Sequence, residues 1–313
     1  MKKRSRIIFM GTPLFAVPAL TALHETGYQM MLVVTQPDRQ KGRGRHVVPP
    51  PVKETALRLG CDVLQPLSVR SEEFLDRIRQ LRPDMLVVVA FGRILPKALL
   101  DIPRLGAINL HASLLPKYRG PAPIQWSIIN GDQETGVSTM LMDEGTDTGD
   151  ILLAEKIKIA LDDNSATLHE RLADLGAALL IKTLEAFQAG KITPRAQDHT
   201  RATYAPLLKK TDGHIPWSRP AAMIEIFIRA MTPWPGAFTF QNGKQLKIFK
   251  SAPVSMDVAE PPGTALKWFP DELLVATGKG ALNIFEVQIQ GGRRLPVKEF
   301  LRGCKVPPGT RFD

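Results

Sequence analysis

Two polar side chains on one short segment, Asn109 and His111, have the types and the spacing that catalysis needs. In residues 107–119 they alternate with the apolar Ile108 and Leu110, a two-residue period that is typical of a β-strand with two different faces. Residues two apart on a strand lie about 6.6 Å apart, close enough for both to contact one reacting centre. An amide donates hydrogen bonds and an imidazole exchanges protons near neutral pH, so this face predicts a site.

An acidic turn further along the chain supplies a candidate partner for the imidazole. Residues 143–150 contain four acidic side chains and no apolar one, and Asp147 is bracketed by Gly145 and Gly149. Glycines permit a tight turn that presents a side chain inward. We therefore single out Asp147 as the acid of the site, while a solvated surface loop is the alternative for any one of the four acids.

The elements before these residues predict an α/β fold. Residues 6–10 and 30–35 are apolar strands separated by a Gly11-Thr12-Pro13 turn and a helix, and residues 85–90 form the clearest central strand. This order is typical of a Rossmann-like, mostly parallel sheet, whose ligands bind beyond the carboxyl ends of the strands. The first turn lacks the Gly-x-Gly-x-x-Gly pattern, so a dinucleotide is not supported.

The C-terminal part is predicted to be a separate, all-β domain. Short strands at 237–240, 246–250, 272–277 and 281–289, with an Asn242-Gly243 hairpin turn, suggest a small β-barrel of the oligonucleotide-binding (OB-like) type. We expect a catalytic domain over residues 1–190, a polar linker over 191–217 and the OB-like domain over 218–313. Two domains also agree with a length of 313 residues.

Composition restricts the class of protein. The net charge is +10, and from residue 201 onward 16 Lys and Arg stand against 9 Asp and Glu, so a polyanion such as nucleic acid is a favoured partner. The two cysteines are far apart and the six histidines show no ligand spacing, so we expect neither a disulfide framework nor a metal. No apolar run is long enough for a membrane span, and we expect a cytoplasmic protein with no obligate protein partner.

Residues 36–53 are strongly basic and rich in glycine and proline. The segment has one acidic residue, Asp38, and five basic residues, Arg39, Lys41, Arg43, Arg45 and Lys53. Such a segment has too little apolar surface to fold by itself. Its sequence alone favours a solvated surface loop.

Several of these motifs, taken in order, resemble the folate-dependent formyltransferases. They are Asn109-x-His111, Ser113-Leu114-Leu115-Pro116 with Arg119-Gly120, Asp147 in its glycine-bracketed turn, Gly11-Thr12-Pro13, Gln36-Pro37-Asp38-Arg39, Gly92 to Pro96, and Pro233-Trp234-Pro235. The likeness covers nearly the whole chain. It implies transfer of a formyl group through a tetrahedral carbon bearing an oxyanion, with Asn109 donating to that oxygen and with His111 and Asp147 managing protons.

The resemblance also implies two substrates and the residues that would bind them. The formyl donor would be 10-formyltetrahydrofolate, with Ser113, Leu114, Leu115, Pro116, Gly92, Ile94 and Leu95 as its contacts. The acceptor would be the amino group of initiator methionyl-tRNA, with Lys41, Arg43, Arg45, Lys209 and Lys210 as tRNA contacts. The basic segment 36–53 matches an insertion that relatives acting on tRNA carry and relatives acting on small substrates lack.

Two other functions remain open at this point. The same Asn-x-His and Asp occur in formyltransferases that act on an amino sugar or small amine and in formyltetrahydrofolate hydrolases, which would not require the basic segment or the basic C-terminal domain. A non-catalytic RNA-binding protein is the alternative from another class. The presence of Asn109, His111 and Asp147 argues against it.

Overall fold

The computed structural model of the chain describes residues 5–41, 46–266 and 271–313, which form two compact units. The first unit comprises the described residues up to Pro123 together with Glu134–Lys158 and His169–Pro206. The second comprises Ile124–Gln133, Ile159–Leu168 and Leu207–Asp313. Within these ranges, no helix combines the length and the apolar character that crossing a membrane requires.

The first unit is built on a seven-stranded sheet with the order β5-β2-β1-β6-β7-β8-β9. The pairings among the first five of these strands are parallel, whereas β8 pairs antiparallel with β7 and β9. The strands up to residue 158 are β1 (Arg6–Gly11), β2 (Gln29–Val34), β3 (Arg39–Lys41), β4 (His46–Val48), β5 (Val63–Leu64), β6 (Met85–Val89), β7 (Ala107–His111), β8 (Glu134–Leu141) and β9 (Ile151–Lys158). The predicted Rossmann-like, mostly parallel sheet is therefore confirmed.

Helices alternate with the strands along this part of the chain. The helices up to residue 188 are α1 (Val17–Glu25), α2 (Pro51–Arg58), α3 (Glu72–Leu81), α4 (Lys97–Leu100), α5 (Pro123–Ile129) and α6 (Ser165–Gln188). Helix α3 shows why: Phe74, Leu75 and Ile78 recur at helical spacing and are buried, and they join the core formed by β1, β2 and β6. All five residues of β6 are buried, as expected for a central strand covered on both faces.

Helix α3 begins without a side-chain cap. A serine just before a helix often accepts hydrogen bonds from the free amides of the first turn, but the Ser71 side chain makes no such cap. Instead the Ser71 hydroxyl donates to the Ser68 carbonyl oxygen at 3.2 Å. Glu72 and Glu73 in the first turn still complement the helix dipole.

The second unit contains an antiparallel sheet with the order β10-β11-β13-β12, and β14 pairs with β13. Its further elements are α7 (Ala221–Met231), β10 (Ala237–Gln241), β11 (Lys244–Val254), β12 (Leu273–Ala276), β13 (Ala281–Ile289), β14 (Leu295–Pro296) and α8 (Val297–Gly303). Helix α7 packs against β11 and β13. The four predicted strands and the Asn242-Gly243 turn are all present, and Asn242 and Gly243 both have positive φ.

The region expected to be a linker, residues 191–217, is tied to both flanking sequences. Arg195 exchanges two backbone hydrogen bonds with Ile151, and contacts assign the chain up to Pro206 to the first unit. Within the second unit, the indole of Trp217 is buried and donates to the Thr239 hydroxyl at 3.0 Å. The domain boundaries at 190 and 218 stay a prediction.

Candidate active site

Strand β7 carries the two polar residues into the middle of the sheet. Asn109 lies opposite Val88 of β6 and Met140 of β8. Its side chain and that of His111 leave the same face because they are two residues apart, and both residues are under one-tenth exposed. Among the described residues no group bonds to the Asn109 amide, although most buried polar side chains are bonded. The amide is thus available to a ligand.

The imidazole of His111 is held at one nitrogen and faces an acid at the other. Its Nε2 atom lies 2.9 Å from the Tyr118 carbonyl oxygen. A carbonyl only accepts, so Nε2 carries a proton. The Nδ1 atom lies 3.7 Å from Oδ1 of Asp147, slightly beyond a direct hydrogen bond. Nδ1 is therefore the nitrogen that faces the acid.

Asp147 has a backbone conformation that the surrounding turn must stabilise. Asp147 has φ of 54°, the left-handed region that Asp tolerates better than most residues. Its Oδ2 accepts from the Gly120 amide at 2.8 Å. A Cβ on Gly149 would lie 1.7 Å from the Leu141 carbonyl oxygen, and one on Gly145 1.9 Å from the Thr148 hydroxyl. Position 149 therefore requires glycine, because backbone atoms occupy the space of a Cβ, whereas a side chain at position 145 would displace the Thr148 side chain.

The loop after β7, residues 113–116, is rigid and largely closed on itself. Ser113 is fully buried and its hydroxyl donates to the Lys117 carbonyl oxygen at 2.6 Å. The buried Ser138 hydroxyl donates to the Ser113 carbonyl oxygen and accepts from the Leu115 amide. Leu115 is buried, whereas Leu114 and Pro116 are half-buried. A ligand would meet this loop through its backbone and apolar carbons, because the Ser113 hydroxyl is already bonded.

Strand β6 leads into the second predicted ligand segment. Gly92 has φ of 79°, and a Cβ there would lie 2.8 Å from Nε2 of Gln36, which donates to the Phe91 carbonyl oxygen. Ile94 is 70% exposed while Leu95 is buried. A cavity of about 120 Å³ is lined by Arg93, Ile94, Leu95, Met140, Met142 and residues 143–147. It is smaller than a whole ligand pocket, so it would accept one end of a ligand.

The base of the basic segment is fixed at the same end of the sheet, beyond the end of β2. Lys53 pairs with Asp38 at 2.8 Å, and Gln65 donates to both Asp38 and the Gln36 carbonyl oxygen. The hydrogen bond from Lys53 is the main reason that the pKa of Asp38 lies below its usual value. Lys41 belongs to β3, which pairs with β4.

The remaining predicted tRNA contacts are only partly described. Arg43 and Arg45 lie outside the described residues. Lys209 and Lys210 are exposed and belong to the second unit, at the start of a short 3-10 turn. Among the described residues, no group of three or more His, Cys, Asp or Glu side chains is arranged to hold a metal ion.

One residue that contacts the acidic turn was not predicted from the sequence. Gln197, in the predicted linker, is buried and donates to the carbonyl oxygens of Asp147 and Gly149. It also accepts from the guanidinium of Arg119, a residue of the Arg119-Gly120 motif for which no role was predicted. Only a turn-rich polar stretch marks Gln197 in the sequence, and such a stretch does not indicate a buried contact.

An amide donor, an imidazole and an oriented acid beyond the carboxyl ends of a Rossmann-like sheet define a candidate transferase site for an acyl-type group. Comparison with known proteins makes the class specific. The formyl transferase family model matches residues 3–184, and the model of the formyl transferase C-terminal domain matches residues 207–305. The chain therefore belongs to the formyl transferase family.

Curated relatives are similar over nearly the entire chain. A methionyl-tRNA formyltransferase of Caldanaerobacter subterraneus subsp. tengcongensis is 53% identical over 97% of this chain and 99% of its own length. One of Geobacter sulfurreducens is 51% identical over 98% of this chain and 96% of its own length. The predicted membership of the formyltransferases is confirmed.

Solved structures share the fold at low identity. An N-formyltransferase from Helicobacter canadensis, in complex with folinic acid and dTDP-3-aminofucose, has a TM-score of 0.66 and 19% identity, covering 93% of this chain and 100% of its own. HypX from Aquifex aeolicus in complex with tetrahydrofolic acid has a TM-score of 0.63 and 18% identity, covering 95% of this chain and 47% of its own. At this identity the likeness supports the fold alone.

Proposed function

We propose that the protein transfers the formyl group of 10-formyltetrahydrofolate to the amino group of initiator methionyl-tRNA, and that it does so in the cytoplasm. The observation that carries the proposal is the pairing of His111 with an oriented Asp147 beside the available Asn109 amide. Relatives above 50% identity over nearly the full length are named methionyl-tRNA formyltransferases. The product would be formylmethionyl-tRNA for translation initiation.

The proposed reaction assigns each side chain a separate task. Attack of the amine on the formyl carbon forms a C–N bond and places negative charge on the formyl oxygen, to which the Asn109 amide donates. The proton lost by the amine passes to the His111–Asp147 pair through Nδ1. It then reaches the folate nitrogen as the bond from that nitrogen to the formyl carbon breaks, so atoms and charge balance.

The donor would be held by the cavity and loops at the edge of the sheet. The apolar side chains of Ile94, Leu95, Met140 and Met142 and the acidic residues 143–147 line one cavity, which suits a flat ring with hydrogen-bond donors on its edge. Gly92 and the loop 113–116 complete the proposed folate contacts. Leu114, Leu115 and Pro116 would line the ligand, and the fully buried Ser113 would hold the loop in shape.

The acceptor would be bound by basic residues. We assign Arg43 to the acceptor end of the tRNA, with Lys41 and Arg45 as phosphate contacts and Lys209 and Lys210 as contacts in the second unit. The net charge of +10 supports a polyanionic substrate. Residues 218–313 would form the tRNA-binding domain, and residues 1–190 the catalytic one.

The test is an acceptor comparison with purified protein. The enzyme is incubated with 10-formyltetrahydrofolate and either methionyl-tRNA, an amino sugar nucleotide, methionine methyl ester or no acceptor, and formyl transfer and formate release are followed. We expect transfer to methionyl-tRNA alone. Faster transfer to a small amine, formate release without acceptor, or no turnover of the folate with any acceptor would each contradict the proposal.

A further inference from the structure

The acidic turn is held from behind by one buried amide. Both hydrogens of the Gln197 amide are used on this turn, because Nε2 donates to the Asp147 carbonyl oxygen at 2.9 Å and to the Gly149 carbonyl oxygen at 2.7 Å. Gln197 itself is only 6% exposed. These bonds fix the backbone on both sides of Thr148, and with it the left-handed conformation of Asp147.

The orientation of that amide is fixed in turn by a buried guanidinium. Oε1 of Gln197 accepts from Nε and Nη2 of Arg119, at 3.1 and 2.7 Å. A guanidinium only donates, so Gln197 must present its oxygen to Arg119 and its NH₂ group to the turn. Nη2 of Arg119 also lies 3.2 Å from Nδ1 of His199, which must therefore be the unprotonated nitrogen of that ring.

These contacts close a ring around the acid. Arg119 is followed by Gly120, whose amide donates to Oδ2 of Asp147. Arg119 is also fixed by backbone hydrogen bonds from its amide to the Thr203 carbonyl oxygen and from the Ala205 amide to its own carbonyl oxygen. Arg119 and Gln197 thus fix Asp147 in two ways. The amide of Gly120, the residue after Arg119, holds the Asp147 carboxylate, and Gln197 holds the Asp147 main chain.

We infer that Arg119 and Gln197 are positioning residues for the reaction. Neither is assigned contact with a substrate; they set the distance and direction from Oδ1 of Asp147 to Nδ1 of His111, which is 3.7 Å here. The inference rests on the proposed function, because it takes Asp147 as a participant in proton transfer. Gln197 accordingly positions the acidic turn and is not part of a passive linker.

The first test compares two substitutions of Gln197, one that keeps its contact with Arg119 and one that removes its contacts with both Arg119 and the acidic turn. Gln197→Glu keeps an acceptor for Arg119 but puts carboxylate oxygens against two carbonyl oxygens, whereas Gln197→Leu removes both contacts. In each variant we expect kcat with methionyl-tRNA to fall about ten- to hundredfold, because a displacement of about 1 Å at a catalytic group costs up to that much. The KM values for folate and tRNA should change less than about twofold, and the acidic limb of the kcat–pH profile should shift.

A matched control distinguishes positioning from general stability. Thr183 is also fully buried in the first unit, and its hydroxyl donates to the Leu179 carbonyl oxygen and bonds to the Thr139 hydroxyl. Thr183→Val therefore removes buried hydrogen bonds, none of which involves the acidic turn. It should lower the melting temperature with kcat and the pH profile unchanged. If kcat falls equally in Thr183→Val and Gln197→Leu at equal loss of stability, or if KM rises while kcat holds, the inference is wrong. Gln197→Glu provides the kinetic comparison if Gln197→Leu does not fold.

A double-mutant cycle separates this inference from the proposed function. If Gln197 acts through Asp147, adding Gln197→Glu to Asp147→Asn should lower kcat less than about twofold further. Full additivity of the two losses would overturn the positioning role while leaving the acid catalytic. An unchanged kcat in Asp147→Asn alone would instead overturn the proposed role of Asp147, and the positioning role with it.

Discussion

Two aspartates at opposite ends of the same sheet show how differently one side chain is used. Asp84 precedes β6 and accepts from the Arg6 backbone amide at 2.9 Å and from the guanidinium of Arg104 at 3.2 Å. These contacts, led by the hydrogen bond from the Arg6 backbone amide, lower its pKa. Asp147, beyond the carboxyl end of β7, accepts one backbone hydrogen bond from Gly120, and its other oxygen faces His111.

The difference lies in whether the charge is neutralised or only oriented. The contacts of Asp84 are complete within the protein, and an exposed guanidinium compensates its charge. Asp147 is oriented by the Gly120 backbone amide and by Gln197, while its other carboxylate oxygen faces the His111 imidazole. A carboxylate that is held in place without a permanent cation is the one suited to proton transfer.

The largest effect should come from removing the groups beside Asp147. Asn109→Ala and His111→Ala should each lower turnover about a hundredfold or more, because each removes a transition-state hydrogen bond or a proton carrier. Formyl transfer under saturating substrates measures this. His24→Ala, which removes an exposed histidine at the end of α1, is the control. Normal turnover by either site variant with an unchanged melting temperature would remove that residue from the reaction.

Raising the ionic strength should weaken the binding of methionyl-tRNA, because tRNA is a polyanion. If basic residues such as those of segment 36–53 contact tRNA phosphates, affinity should fall about tenfold or more between roughly 50 and 200 mM salt. Binding of methionyl-tRNA, followed at several salt concentrations, tests this. Folate binding is the internal control, and equal salt dependence for the two substrates would contradict a phosphate-dominated interface.

A smaller effect is expected from one residue of the basic segment. Arg43→Ala should weaken use of methionyl-tRNA and reduce the slope of log affinity against log salt by about one, because one phosphate contact is lost. The kcat/KM for methionyl-tRNA and the folate affinity are measured together. Loss of folate affinity alone would contradict the assignment of Arg43 to tRNA binding. Arg70→Ala, at another exposed arginine of the first unit, is the matched control.

The smallest effect on turnover should come from a substitution of Asp84, which lies at the other end of the sheet from Asp147. Asp84→Asn should leave turnover unchanged and lower the free energy of unfolding by about 1 kcal/mol, the net value of a hydrogen bond lost. Because the pKa of Asp84 is lowered on folding, its contribution is present above its ordinary value of 3.8 and is lost as pH falls through the lower folded-state value. The stability difference from the wild type should therefore vanish in strong acid, and a difference that grew there would reverse the assigned sign.

Local patterns in the sequence predicted much of the fold. The alternation in residues 107–111 identified β7, the apolar run at 85–90 identified the central β6, and the Asn242-Gly243 turn identified the β10–β11 hairpin. Such features depend on a few neighbouring residues, which is why the sequence contains them. The pairing of β11 with β13, between which β12 lies in the chain, depends on long-range contacts and was not predictable in this way.

In the candidate site, too, local features could be predicted from the sequence and long-range contacts could not. The types and spacing of Asn109 and His111 and the glycines around Asp147 could be read directly from the sequence. The contact of Gln197 with Asp147 joins residues 50 apart through a side chain and a carbonyl oxygen, and periodicity does not encode such a bond. Likewise Ser113 was expected to contact folate, and only the structure shows its hydroxyl bonded to Lys117.

The central claim is that Asp147 acts in the reaction whereas Asp84 only stabilises the fold. Single-turnover formyl transfer from 10-formyltetrahydrofolate to methionyl-tRNA, measured for the wild type, Asp147→Asn and Asp84→Asn, tests it most directly because product release does not contribute. We predict a rate about a hundredfold lower for Asp147→Asn and a rate within about twofold of the wild type for Asp84→Asn. Equal rates for the two variants would contradict the account.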